Sequence, residues 1–141
     1  MRTYRATATI LAYHFALPVV FTSVLIAMLI LLPRLILSDP LLAVFLIVWS
    51  LGVLWSWYQY LTTAFEIHSW DDGTYEFRAV ARRTVLRAEK IRSLGAGRFD
   101  PYFVTLKHEN GTLVLFPQID GFHDFIARLK KFNPQIVVKG L

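Results

Sequence analysis

The sequence contains no cysteine, which excludes disulfide bonds, thiolate metal sites and thiol nucleophiles. A reducing compartment is compatible with this absence without being required by it. The sequence also lacks the H-E-x-x-H, G-x-S-x-G and P-loop motifs. Three of the four histidines, His68, His108 and His123, lie in separate predicted elements, and the glycines at 95–97 lack the strand-to-helix context of a dinucleotide loop. We therefore predict that the chain is not an enzyme and has no metal site and no cofactor.

Charged residues are scarce in the first 63 positions, which contain only Arg2, Arg5, Arg34 and Asp39. Residues 64–141 hold 12 of the 15 basic and 9 of the 10 acidic residues. Hydrophobic residues make up 55% of the chain, a fraction too high for a soluble domain of this length. We therefore predict a membrane part over residues 1–63 and a polar domain over residues 64–141.

Two uncharged hydrophobic runs predict transmembrane helices, over residues 11–32 and 40–61. At about 1.5 Å per residue, each run covers roughly the 30 Å hydrocarbon core of a bilayer. A cleaved signal peptide is the alternative for the first run, but that run is longer than the hydrophobic region of a typical signal peptide and no A-x-A-like site follows it. Ser38 or Asp39 can cap the second helix, and residues 33–39 form the bend. The sequence thus predicts a helical hairpin.

The basic residues predict the orientation of this hairpin. Arg2 and Arg5 precede the first span and many Lys and Arg residues follow the second, whereas the bend holds only Arg34, offset by Asp39. Lys and Arg accumulate on the cytoplasmic side, so we predict a multi-pass protein of the cytoplasmic (inner) membrane with both termini in the cytoplasm. Four aromatic residues gather at the cytoplasmic end of the second span and are predicted interface anchors: Trp55, Trp57, Tyr58 and Tyr60.

Several residues within the spans are unusual for a purely apolar helix. His14 is an intramembrane ionisable group and therefore a possible ligand for a haem or chlorin metal, although a side chain that reaches the nearby interface is the alternative. Pro18 is expected to kink the first span. Ser50, Gly52 and Ser56 would allow close helix packing, against the first span or against a partner.

Beyond Thr63 the hydrophobic period changes to two, which indicates strands. Tyr75 and Phe77 are predicted to face inward, and Glu76 and Arg78 outward. Five or six short antiparallel strands are expected, with a type I′ turn at Asn110 and Gly111. A final amphipathic helix with an Asp120 N-cap follows; its apolar stripe contains Phe122, Phe125, Ile126, Leu129 and Phe132. The fold class is a two-helix membrane hairpin followed by a small antiparallel sheet or open barrel that the helix caps.

The order of these segments resembles small bacterial membrane proteins that carry a pleckstrin-homology-like (bacterial PH) domain. The resemblance rests on the hairpin followed by DDGTYEFR, RAEKIRSL, YFVTLKHENGTLVLF and IDGFHDFIARLKKFNP. It implies a PH-like fold used for binding or assembly, without conserved catalytic residues. In PH domains that bind phosphoinositides, the loop between the first two strands is rich in Lys and Arg. Here that loop is WDDG, and Asp71 and Asp72 would repel a headgroup phosphate.

Residues 77–98 carry seven basic residues and one acid, Glu89. If the strands alternate, Arg78, Arg83 and Arg87 face solvent and could contact anionic lipid or an acidic partner protein. The alternative is a solvated face that only follows the positive-inside bias. No nucleic-acid partner is expected, because the stretch offers neither a helix for a groove nor aromatic residues alternating with the basic ones.

Three functional hypotheses follow. The first is an accessory or scaffolding subunit whose helices pack against a larger integral membrane protein complex and whose PH-like domain covers or positions its cytosolic face. The second is an adaptor that binds anionic membrane lipids through Arg78, Arg83 and Arg87. The third and weakest is pigment or haem binding through His14.

Overall fold

The computed structural model describes residues 1–97 and 103–140, apart from the side chain of Leu37. The strand predicted over residues 92–99 ends at Arg98 and Phe99, and the strand predicted over residues 102–108 begins at Tyr102; these three residues lie outside the described residues. The chain divides into two compact units. One is Leu11–Tyr60, and the other combines Met1–Ile10 with Leu61–Leu141.

The first unit contains the two predicted spans as long helices. Helix α1 covers Ala8–Leu31, a short helix α2 covers Pro33–Ser38 at the predicted bend, and helix α3 covers Pro40–Thr62. Both long helices are long and apolar enough to cross a membrane. Asp39 caps α3, because its Oδ1 accepts a hydrogen bond of 2.9 Å from the backbone N–H of Leu41.

Helices α1 and α3 pack against each other through a mixture of apolar and polar contacts. Leu46 and Val53 of α3 are buried, as is Pro18 of α1. The Trp57 indole N–H donates a 2.8 Å hydrogen bond to the Thr22 hydroxyl, which itself donates to the Pro18 carbonyl. The polar groups of Trp57 and Thr22 therefore form hydrogen bonds within the hairpin, as polar groups in apolar surroundings must.

The second unit contains two β-sheets, in the orders β1-β2-β3-β4 and β7-β6-β5-β8. All neighbouring strands are antiparallel except β5 and β8, which are parallel. The sheets meet where Ala64 bridges Leu115 and Ala6 bridges Ile119. The strands are β1 (Arg2–Arg5), β2 (Glu66–Ser69), β3 (Thr74–Arg78), β4 (Arg83–Arg87), β5 (Ile91–Ala96), β6 (Val104–His108), β7 (Gly111–Leu115) and β8 (Val137–Lys139).

Five or six strands are predicted, and β2 to β7 occupy these segments; a 3-10 turn at Ala88–Lys90 joins β4 to β5. Tyr75 and Phe77 are buried, as their alternation predicts. The sequence did not predict β1 or β8. Strand β1 has only one buried residue, Tyr4, and β8 only three residues, so neither shows a readable alternation. Because β1 pairs with β2, residues 1–10 lie in the second unit and not with the predicted hairpin.

Helix α4 (Phe122–Phe132) covers the core with the predicted apolar stripe. Phe122, Phe125, Ile126 and Leu129 are buried and Phe132 is partly buried. The predicted Asp120 cap is wrong: Gly121 occupies the N-cap position with a φ of 75°, and no side chain caps the helix. Glycine suits that left-handed conformation because it lacks a Cβ.

The turn predicted at Asn110 and Gly111 is displaced by one residue. His108 pairs with Gly111, so Glu109 and Asn110 form the two-residue turn. Neither has a positive φ, whereas Gly111 opens β7 with a φ of 149°. A type I′ turn needs positive φ at both central residues, so the type I′ prediction is wrong.

Candidate functional site

The three arginines predicted to contact lipid or an acidic partner do not form one patch. Arg78 on β3 and Arg83 on β4 are direct cross-strand partners, whereas Arg87 lies opposite Thr74 at the far end of the same strand pair. Four residues at about 3.3 Å each place Arg83 and Arg87 roughly 13 Å apart. Arg83 and Arg87 are exposed and Arg78 is partly buried. A ligand of these arginines would therefore have to bind at two separate places, one at Arg78 and Arg83 and the other at Arg87.

Arg78 and Arg83 share a buried carboxylate. Glu76 was predicted to face solvent; it does lie on the outer face of the sheet, but only 1% of its surface is exposed. Arg78 Nε donates a 2.5 Å hydrogen bond to Oε1 of Glu76, and Arg83 donates a 3.0 Å bond to Oε2. The bond from Arg78 holds the pKa of Glu76 below its usual value, and the bond from Arg83 adds to this effect.

This charged cluster extends across β2 to the edge strand β1. Oε2 of Glu66 is 4.0 Å from Arg78 and 3.6 Å from Nε2 of His68. Nδ1 of His68 lies 3.1 Å from the Thr3 hydroxyl. A hydroxyl, an imidazole and a carboxylate in this order can activate a nucleophile. Here Thr3 and His68 are direct cross-strand partners, so their contact also joins β1 to β2. We therefore assign Thr3, His68 and Glu66 a structural role in holding these strands together.

Asp71 in the acidic β2–β3 turn also forms ion pairs within the domain. Asp71 pairs with Arg128 of α4 and, at 3.4 Å, with the N-terminal ammonium group of Met1. The hydrogen bond from Arg128 is the main reason why the pKa of Asp71 is lowered. Asp71 therefore uses its negative charge to hold α4 and the N-terminus, whereas Asp72 accepts hydrogen bonds from Thr74 within the turn.

A second carboxylate of the same region holds strand β1. Asp124 of α4 accepts a 2.7 Å hydrogen bond from the Tyr4 hydroxyl and a 2.8 Å bond from Arg2. Both bonds lower the pKa of Asp124, and the bond from Tyr4 has the larger effect. The pKa of Tyr4 is raised, mainly by burial of its hydroxyl and then by the bond to Asp124. An open cleft of about 600 Å³ lies here. Five of the residues that line it already form ion pairs: Met1, Arg2, Asp71, Asp124 and Arg128. Lys131 and Phe132 complete the lining.

The turn between β3 and β4, residues 79–82, was not singled out from the sequence. Its backbone is closed by a 2.7 Å hydrogen bond from Ala79 N–H to the Arg82 carbonyl, and the N–H of Ala81 donates a 2.9 Å bond to the carbonyl of Leu61. Arg82 is exposed, and no carboxylate in the described ranges pairs with it. The turn contains none of the usual turn residues Gly, Pro, Asn, Asp and Ser, so composition did not reveal it.

The four predicted interface anchors divide into two pairs. Trp55 and Tyr58 are exposed on the outside of the hairpin. Trp57 and Tyr60 are partly buried, and both rings contact Phe15 of α1. The outward pair can reach headgroups, whereas the inward pair helps to join the two helices.

The predicted intramembrane ligand His14 is a partly buried residue in the hairpin. Its ring centroid lies 6.1 Å from that of Tyr60. Within residues 1–97 and 103–140, no group of three or more His, Cys, Asp or Glu side chains is arranged to hold a metal ion.

Comparison with protein-family models, curated proteins and solved structures finds no match to this chain.

Proposed function

We propose that this chain is a non-enzymatic accessory subunit of a larger membrane protein complex. In this proposal α1 and α3 insert into the cytoplasmic membrane as a hairpin and pack against the larger protein, and the β-domain lies on the cytosolic side. The observation that carries the proposal is the position of Gly52 on α3.

Gly52 lies on a part of the α3 surface that does not contact α1. It is exposed, and a Cβ atom added to it would meet nothing within 4 Å. A glycine within a helix costs about 1 kcal/mol relative to alanine, and a helix face that meets only lipid tails gains nothing in return. Small residues let another helix approach closely in a bilayer. The exposed residues around Gly52 are large and apolar, and they would surround that contact: Val48, Leu51 and Trp55.

The pairing of β1 with β2 supports the proposed topology. Strand β1 precedes α1 and β2 follows α3, yet Arg5 and Glu66 are cross-strand partners. Two chain segments that share a sheet lie on the same side of a membrane. Two spans satisfy this condition, and the excess of Lys and Arg around both segments favours the cytoplasmic side.

The β-domain supports a role in binding or assembly. Its two sheets and single C-terminal helix agree with the architecture that a PH-like fold would have, and we propose that it belongs to that class. Two clusters of its charged groups, around Glu76 and Asp124, are held by ion pairs within the domain. We propose that such a surface positions the domain and does not carry out a reaction.

The test is native mass spectrometry of the intact chain, extracted from its own membrane in mild detergent. A larger membrane protein is expected at a fixed stoichiometry. The Gly52→Leu variant is expected to insert normally but to lose that partner, because leucine fills the space that a second helix would use. Ala27→Leu, which introduces the same side chain at an exposed position of α1 and adds only one carbon atom fewer, is the matched control and is expected to retain it. A free monomer in several mild detergents would contradict the proposal.

A further inference from the structure

The β3–β4 turn, residues 79–82, joins the end of the second membrane helix. The N–H of Ala81 donates its hydrogen bond to the carbonyl of Leu61, and Leu61 is the second-last residue of α3. The turn and Leu61 belong to the same compact unit. If α3 spans the bilayer, Leu61 lies at the membrane interface, since the aromatic residues just before it are typical of headgroup depth. The turn then lies at that depth as well.

The composition of the turn matches such a position. Val80 is 57% exposed although it is apolar, and Ala79 and Ala81 flank it. Arg82 is exposed and no described carboxylate offsets its charge. An apolar tip next to a cation suits the boundary between acyl chains and anionic headgroups.

We infer that the β3–β4 turn is a membrane-docking element, in which Val80 enters the interface and Arg82 binds anionic lipid headgroups. The inference rests on the proposed insertion of α3 and does not depend on a partner protein. It differs from binding by Arg78, Arg83 and Arg87. Arg78 and Arg83 are already bonded to Glu76, and Arg87 lies at the opposite end of β4.

The absence of cysteine allows spin labels to be placed singly on the full-length chain in lipid nanodiscs. A label at Val80→Cys is expected to be severalfold less accessible to a water-soluble relaxing agent than one at Val137→Cys. Val137 is the control because it is also an exposed valine, at 46%, and lies on β8 of the other sheet. Equal accessibility at the two positions would overturn the inference.

A third label, at Leu51→Cys on the exposed face of α3, separates this inference from the proposed insertion. A lipid-exposed label at Leu51 with a water-exposed label at Val80 would overturn the docking inference and leave the inserted hairpin standing. A water-exposed label at Leu51 would overturn both.

The headgroup specificity is tested by comparing nanodiscs with and without anionic lipid. Anionic lipid is expected to increase the docked population, and Arg82→Gln to reduce that gain roughly fivefold, equivalent to about 1 kcal/mol per cation at an anionic surface. Added salt should have a similar effect, because it screens exposed charges. Arg87→Gln is the matched control and is expected to leave docking unchanged. If Arg82→Gln docks as well as the unaltered chain does, the assignment of Arg82 is wrong.

Discussion

Glu76 shows how a single charged residue can be buried on a face that strand alternation assigns to solvent. Tyr75 and Phe77 face the core, so Glu76 must face the other way. Its carboxylate is nevertheless covered, because Arg78 and Arg83 both extend over it. The two guanidinium groups supply the hydrogen bonds that water would otherwise make. Removal of the carboxylate charge would leave them without their closest anion.

We predict that Glu76→Gln lowers the free energy of unfolding by about 1–3 kcal/mol, the range for buried hydrogen bonds to charged groups. The glutamine keeps the shape but has one acceptor oxygen and no charge to offer the two arginines. Thermal unfolding of the detergent-solubilised chain measures the effect. Glu89→Gln, at an exposed position of the 3-10 turn, is the matched control and should change stability by less than about 0.5 kcal/mol. Similar stabilities for the two variants would contradict this account of Glu76.

The same cluster predicts a loss of stability in acid. The pKa of Glu76 is lowered in the folded state from its ordinary value of 4.5, mainly by the bond from Arg78. The unfolded chain therefore takes up the proton at higher pH than the folded chain does. The stabilisation by Glu76 is present above about pH 4.5 and is lost as the pH falls through its folded pKa. Glu76→Gln should show a smaller decrease over this range, and an equal decrease would contradict the prediction.

At the scale of elements, helix α4 is held differently at its two ends. No side chain caps its N-terminus, where Gly121 turns the backbone. At its C-terminus, Nδ2 of Asn133 donates hydrogen bonds of 3.0 and 2.8 Å to the carbonyls of Ala88 and Ile91. This amide fastens the helix to the 3-10 turn between β4 and β5, and so connects the parts of the chain that belong to different sheets.

We predict that Asn133→Asp destabilises the domain by about 1–3 kcal/mol. A carboxylate cannot donate, so it would face two carbonyl oxygens that lose their partner. Urea unfolding followed by the fluorescence of Trp70 measures the change in a background where the other three tryptophans are replaced by phenylalanine. The control is Asn110→Asp in the exposed β6–β7 turn, for which little change is expected. An equal loss in the two variants would attribute the effect to the added charge and contradict the role assigned to the amide of Asn133.

At the scale of the whole chain, the sheet joins the segments that precede and follow the helical hairpin. Ala6 N–H donates a 2.9 Å hydrogen bond to the carbonyl of Phe65, close to the start of α1 and the end of α3. Any topology that separates the two segments would break β1 from β2. The fold of the domain and the number of membrane crossings are therefore linked.

We predict that a membrane-impermeant maleimide labels Ser38→Cys on intact cells but labels Glu109→Cys only after the membrane is opened. Ser38 lies at the end of α2, in the bend, and Glu109 lies in an exposed turn of the domain. The unaltered chain has no cysteine and is the control for background labelling. Labelling of Glu109→Cys on intact cells would place the domain outside and contradict the proposed topology.

The sequence by itself determined the two long apolar helices, a cap at Ser38 or Asp39, the approximate positions of β2 to β7 and the apolar stripe of α4. These features depend on periodicity, length and composition within a short window, so a local pattern is enough to predict them. The alternation even assigned Glu76 to the correct face of β3. It could not show that two arginines cover that face.

Only the tertiary structure decided the pairing of β1 with β2, the burial of Glu76, the partners of Asp71 and the contact between Ala81 and Leu61. Each brings together groups that are separated by up to 70 residues or lie on different strands. Such contacts depend on how complete elements pack, and the periodicity of a short sequence segment does not predict them. For this reason the proposed docking turn follows only from the tertiary contact between the β3–β4 turn and the end of α3.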